Sequence, residues 1–246
     1  MKIQTAISFF RSIGHSAWHC VKFCRHYGWT LALREAKPFI TEAIYGSEQR
    51  AEQADAFDAR HGTDTSSMVM PWDLPSLAAA DPQVYHYETL PSAAIRSILT
   101  ALPVNIENFV LVDLGCGKGR VLMVAAEFPF AQIVGVELAT ELAQIARENV
   151  RRYRASQKAC REIVIQQGDA LAYEFPLQPL VVFLFNPFGS QTLKCVCRNL
   201  KASLRHVPRP AYVIYVNPLH QNVIRAFPEF CRVDSPPEYS VYRLVL

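Results

Sequence analysis

At 246 residues, half of them hydrophobic, the chain can bury one good α/β core with an appendage and is too short for a large multidomain assembly. The formal charge of +3 is uneven: residues 1–34 carry Lys2, Arg11, Lys22, Arg25 and Arg34 and no acid, leaving 20 basic against 22 acidic side chains, which excludes a body that binds polyanions by overall charge. Seven cysteines, an odd number without framework spacing and with no cleavable apolar leader ahead of them, argue against a disulfide-built secreted domain and for a reducing, cytoplasmic compartment.

Residues 1–56 read as a helical N-terminal extension. In residues 1–34 apolar positions recur at helix-like intervals with bases between them, and no run reaches the ~18 residues needed to span a bilayer. The segment therefore suits a cap or dimerisation arm, a peripheral membrane contact, or a transit peptide. His15, His19, Cys20, Cys24 and His26 are metal-ligand types, yet they lack a C-x-x-C pair and no second cluster completes a closed site. No metal is expected. The polar stretch 45–68 reads as a helix running into a loop, and residues 57–91 as a lid or cofactor loop ahead of a main domain at 92–246.

Within 84–104 a helix precedes the first strand, and from there a regular alternation begins. "FVLVDL" (109–114), "AQIVGVEL" (131–138), "EIVIQQGD" (162–169), "LVVFLFNP" (180–187) and "AYVIYVNP" (211–218) are nearly continuous apolar runs, as in strands buried on both faces. Helical stretches at 119–128, 138–154 and 190–204 separate them. After the fifth strand come a helix near 218–227, a short strand near 229–233 and a last strand in "YSVYRLVL". This pattern predicts an α/β fold: a doubly wound, seven-stranded, mostly parallel sheet. Arg151, Arg152 and Arg154 fit a helix end with Glu148 as partner, and Arg198, Lys201 and Arg205 one face of a helix; both read as solvated surfaces rather than nucleic-acid patches, so no nucleic-acid partner is expected. Cys195 and Cys197, two apart on a helix, point different ways and read as packing residues.

The first strand runs into "VDLGCGKGR" (112–120). A dinucleotide fingerprint requires G-x-G-x-x-G, whereas Gly115, Gly117 and Gly119 follow Asp113 as D-x-G-x-G-x-G, and Lys118 is followed by glycine rather than the Ser or Thr of a P-loop. Neither phosphate-cradling motif fits.

D-x-G-x-G-x-G after a first strand resembles the signature of class I S-adenosylmethionine-dependent methyltransferases. The resemblance implies that fold, and S-adenosyl-L-methionine as cofactor with S-adenosyl-L-homocysteine as product. It also implies a polar residue at each of several strand ends, over which ligands of open α/β sheets lie. Glu137, eighteen residues after Gly119, would accept the ribose hydroxyls and Asp169 would hold the adenine amino group, with Leu138 and Ala170 beside them and Cys116 inside the turn. Asn186, Pro187 and Phe188 would face the methyl acceptor. The Asn186 and Pro187 carbonyls can accept N–H bonds from an amine and Phe188 can cover a cationic product.

"YHYET", then "VDLGCGKGR", then "FLFNPFG" is similar in order to the non-SET histone-lysine methyltransferases over residues 84 to about 190. That likeness implies a cofactor loop containing Glu88 and Thr89, with Tyr85 or Tyr87 as its tyrosine, and a protein lysine or small amine as methyl acceptor. Tyr87 joins Asn186, Pro187 and Phe188 as a candidate catalytic residue. Thr89 also reads as an N-cap ahead of Pro91, and Asp169 as a helix-start acid. Asn217 and His220 lie just past the fifth strand, where His220 could take a proton. Alternative functions are a small-molecule O- or C-methyltransferase, or a non-catalytic module that only binds the cofactor.

Overall fold

The computed structural model describes residues 56–77, 86–153, 159–160, 162–233, 235–236 and 238–245. The expectations for residues 1–55, including the five N-terminal metal-ligand types, and those for Tyr85 and Arg154 lie outside the described residues. Residues 56–61 are helical, and short 3₁₀ turns follow at Pro71–Asp73 and Pro75–Leu77. Helix α1 is Ser92–Thr100, followed by strand β1 (Val110–Leu114), α2 (Arg120–Ala125), β2 (Gln132–Glu137), α3 (Thr140–Arg152) and β3 (Ile163–Gln167). Then come β4 (Leu180–Phe185), α4 (Ser190–His206), β5 (Ala211–Val216), α5 (Gln221–Arg225), β6 (Phe230–Val233) and β7 (Tyr239–Leu244).

The strands form one seven-stranded sheet in the order β3-β2-β1-β4-β5-β7-β6, parallel except for β7, which is antiparallel to both β5 and β6. Alternation along β1 shows how the apolar runs are used. Leu111 packs with α1 and α2 through Ile95, Leu99, Leu122 and Met123, while Val110, Val112 and Leu114 face the opposite layer with Leu193, Val196 and Leu200 of α4. Each fully buried Leu, Ile or Val contributes about 1.5–3 kcal/mol relative to exposure, which accounts for the apolar make-up of β4 and β5 and of β1 apart from Asp113. The chain winds outward from β1 to β3 and then crosses to β4, so the topological switch point lies between β1 and β4.

Strand β3 departs from expectation. It is an edge strand paired only with β2, and Val164 is 37% exposed, so its apolar run is half open rather than buried on both faces. Thr89 does not cap α1; the preceding position is Pro91, which has no side chain to do so. Arg151 and Arg152 do pair with Glu148 as the i+3 and i+4 spacing suggested. On α4, Lys201 and Arg205 are not simply solvated, because both pair with Glu229 ahead of β6. Cys197 is buried and Cys195 half-buried, in line with their packing role.

Candidate cofactor and acceptor site

Two strand ends flank the switch point. At the end of β1, Gly115, Gly117 and Gly119 all adopt positive φ (80°, 53° and 85°), which turns the chain sharply into α2. The space over two of them is taken by other parts of the protein. A Cβ on Gly115 would lie 2.5 Å from Pro187 Cβ, and one on Gly117 would lie 2.2 Å from the Tyr87 ring. The glycines thus let the segment before α1 and the loop after β4 close directly on the turn.

Glu137 ends β2 and is buried, with its carboxylate gripping two backbone donors: Gly117 N–H gives a bond of 2.8 Å and Ala139 N–H one of 2.9 Å. Burial raises its pKa, opposed by those N–H bonds and by one from Leu138. Asp113, one strand over, is also buried and accepts no hydrogen bond among the described residues. Burial, and then the Glu137 charge, push it up to about 8. The same burial, followed by the charges of Glu137 and Asp113, raises the Cys116 thiol well above its ordinary value, so Cys116 is a packing residue of the turn rather than a nucleophile.

Beyond β3, the Asp169 carboxylate accepts Leu171 N–H at 2.8 Å and caps a 3₁₀ turn at Ala170–Ala172. It is exposed at the rim. Leu138 and Leu171 are apolar and exposed near the β2 and β3 ends, at 37% and 41%.

Across the switch point, Asn186 follows β4 with φ 42° and Asn217 follows β5 with φ 47°, and each precedes a proline. Because Phe185 pairs with Val216, the two left-handed asparagines sit at adjacent strand ends. Non-glycine residues in this region cost of order 1–3 kcal/mol and concentrate at functional sites. The buried Tyr215 hydroxyl donates to Asn186 Oδ1 at 3.1 Å and accepts the His220 N–H at 3.3 Å. Phe188 turns inward to pack with the cluster containing Leu193, while Asn186 stays at the strand end.

The sequence-derived residues are therefore brought together in part. Asp113, the glycines, Glu137, Tyr87, Asn186 and Pro187 converge; Asp169 and Ala170 mark the outer rim. Glu88 lies beside His86, 3.8 Å away, and Thr89 contacts the carbonyl of Leu90 and the Tyr87 hydroxyl.

Sequence reasoning missed the cations of the turn. Lys118 and Arg120 are each 2% exposed, and both are engaged by residues 58–67. A lysine and an arginine embedded between tight glycines and an apolar helix were the available signal, since buried cations need partners.

The residues at the strand ends fit S-adenosylmethionine. A buried carboxylate at Asp113 without a hydrogen bond suits a cationic group. Glu137 is held by the backbone N–H groups of Gly117, Ala139 and Leu138 and keeps lone pairs for hydroxyls. Among the described residues no group of three or more metal-ligating side chains exists, and no helix is long and apolar enough to cross a membrane.

Residues 111–207 match the family described as a methyltransferase domain. No curated protein sequence matches the chain. Similar solved structures include an RNA methyltransferase from Salinibacter ruber in complex with S-adenosyl-L-homocysteine (22% identity, 63% of this chain and 92% of that one, TM-score 0.43). Another is a predicted N6-adenine-specific DNA methylase from Listeria monocytogenes (12% identity, 64% of this chain and 51% of that one, TM-score 0.49). A third is magnesium protoporphyrin IX methyltransferase from Synechocystis with bound S-adenosylmethionine (14% identity, 62% and 77%, TM-score 0.45). The strand order, the D-x-G-x-G-x-G turn with its buried strand-end acids and the family match point the same way: residues 111–207 are similar to a methyltransferase domain, and the strand ends fit S-adenosyl-L-methionine.

Proposed function

We propose that the domain is a class I S-adenosylmethionine-dependent methyltransferase that transfers the methyl group to an amine nitrogen, of a protein lysine or a small amine. The observation that carries this reading is the left-handed Asn186 at the end of β4, its side-chain oxygen held by Tyr215 and its neighbour Pro187 packed on Gly115 of the cofactor turn. Bound over that turn, the cofactor supplies a methyl group already activated on a sulfonium. The protein's task is then to position the acceptor and exclude water. Oδ1 of Asn186 has a second lone pair, and the Pro187 carbonyl lies next along the chain; together they can accept the N–H bonds of an amine and aim its lone pair at the turn. Tyr87, whose ring covers Gly117, walls the same space. The similarity in order to the non-SET lysine methyltransferases supports a lysine over other amines.

The test is methyl incorporation from radiolabelled S-adenosylmethionine into polylysine and a panel of small primary amines, followed by treatment with base. Label that enters these amines and survives base supports nitrogen transfer. Label found only on base-labile carboxyl esters, or enzyme that binds cofactor and labels no amine, overturns it.

A further inference from the structure

Ahead of α1, residues 57–67 meet the cofactor turn through a continuous, partly buried polar network. Asp58 is its centre. Oδ1 accepts the hydroxyls of Thr63 and Thr65, both at 2.7 Å, and Oδ2 accepts the N–H groups of Thr65 and Ser66, both at 2.8 Å, together with the Ser66 hydroxyl. Those two hydroxyls in turn accept from Arg120: Thr65 Oγ1 from Nε at 2.6 Å and Ser66 Oγ from Nη2 at 3.0 Å. The Arg120 guanidinium also lies 3.4 Å from the Asp58 carboxylate and over the Phe57 ring, 4.8 Å from its centroid.

A second link acts on the turn itself. Lys118 Nζ donates to Asp64 Oδ1 at 2.9 Å and to the Ser67 hydroxyl. Asn149 of α3 donates to the carbonyls of Asp64 and Lys118 at 2.8 and 2.9 Å and accepts the Asp64 N–H at 2.8 Å. Finally, Tyr87, whose ring covers Gly117, donates its hydroxyl to the Thr65 carbonyl at 2.8 Å.

Residues 118 and 120 bracket Gly119, and residue 87 covers Gly117. Apart from the Phe57 ring under Arg120 and the Asn149 bond to the Lys118 carbonyl, these contacts terminate on residues 58–67. We propose that this segment is a built-in wall of the cofactor site, and that Asp58 is a positioning residue which sets affinity for the cofactor by fixing Arg120 and, through Thr65, Tyr87 on the glycine turn. The proposal rests on the cofactor reading above. A buried arginine deprived of its carboxylate leaves its network unsatisfied, and the turn it anchors loses its fixed shape. A turn that must be ordered at the moment of binding binds more weakly, because ordering is charged against the affinity.

The experiment compares wild type, Asp58→Asn, Thr65→Val and, as a control of similar thermal destabilisation, Val241→Ala in β7, three strands away from β1. S-adenosylhomocysteine affinity is measured by calorimetry. Amide hydrogen exchange of residues 115–120 is measured without ligand. Asp58→Asn and Thr65→Val are each expected to weaken binding about tenfold or more and to speed exchange in the turn, whereas Val241→Ala changes neither. Wild-type affinity and wild-type exchange in either of the first two variants, folded, overturn the proposal, as does an equal loss in Val241→Ala. Failure of the wild type to bind S-adenosylhomocysteine would strike the cofactor reading instead, and the exchange data still decide whether Asp58 orders the turn.

Discussion

A methyl group built on Gly117 would stand 2.2 Å from Cδ2 of Tyr87, a separation that carbon atoms cannot share. The tyrosine ring thus fills the place where a side chain at residue 117 would be, and the tightest point of the cofactor turn is a contact between two parts of the protein.

Gly117→Ala therefore carries two costs, a left-handed φ of 53° and the expulsion of the Tyr87 ring. The first is about 1 kcal/mol, and overpacking adds about 1–3 kcal/mol. We expect a lower unfolding midpoint together with a loss of S-adenosylhomocysteine binding. In a Tyr87→Ala background the same substitution should cost less, and a double-mutant cycle on chemical denaturation checks that coupling. Additive costs would mean that the ring does not constrain the glycine.

Asp113 makes binding pH-dependent. Burial beside Glu137 keeps its carboxyl protonated up to about 8, while a cationic cofactor favours the carboxylate. Affinity for S-adenosylmethionine should accordingly rise between about pH 6 and pH 8 and then level off, with proton release on binding near neutrality. For the unliganded protein the sign is opposite. The folded state holds this proton where the unfolded one has released it, so stability falls with rising pH from about 4 to about 8, by up to about 1.4 kcal/mol per pH unit. Calorimetry in buffers of different ionisation enthalpy counts the protons, and Asp113→Asn should abolish the release.

Glu137→Gln keeps the size of the side chain and replaces one acceptor oxygen by an NH₂ group. One of the Gly117 and Ala139 N–H groups then faces a donor, and one oxygen available to the ribose is lost. Hydrogen bonds to a charged group contribute about 1.5–3 kcal/mol, so binding of S-adenosylhomocysteine should weaken roughly 10- to 100-fold. A calorimetric titration that matches wild type would remove Glu137 from the cofactor site.

On the acceptor side the prediction separates binding from turnover. Asn186→Ala should leave S-adenosylhomocysteine affinity within about twofold of wild type and lower methyl transfer to the amine labelled most strongly by about 100-fold or more. Tyr215→Phe frees the Asn186 amide without touching the acceptor and should lower kcat by about tenfold, with little change in KM for the cofactor. Equal losses in cofactor binding would show that Asn186 holds the turn and not the acceptor.

Much of this molecule was legible in its sequence. Apolar runs identified β1, β2, β4 and β5, because a strand covered on both faces has few polar positions to confuse the reading; in these four they are only Asp113, Gln132 and Glu137. The glycine spacing and the acid at 137 marked the tight turn after β1, with its positive φ, and the strand-end carboxylate beside it. Legibility failed where a long-range partner decides the outcome. The run in β3 has only Ile163, Val164 and Ile165 as its apolar positions, and its place at the sheet edge leaves Val164 open. Phe188 looked like a residue of the acceptor face and instead packs inward, since the left-handed Asn186 redirects the chain. Nothing local in "DARHGTDTSS" marks Asp58 as the partner of an arginine sixty-two positions later.

That distance bears on how the protein is assembled. The ties between the early segment and the turn span 54 residues for Lys118 to Asp64 and 85 for Asn149 to Asp64, and the first N–H of α3 is capped by Ser76 Oγ from 64 residues upstream. Closing such long loops must precede the contacts that reward it, which slows the step in which they form. On a ribosome that delivers the N-terminal end first, residues 58–76 wait for β1, α2 and α3 before they find any of these partners. The ties of the glycine turn to residues 58–76 are thus completed late, after the sheet around it exists, and a chain interrupted before Asn149 would lack the Asn149 bonds to Asp64 and Lys118.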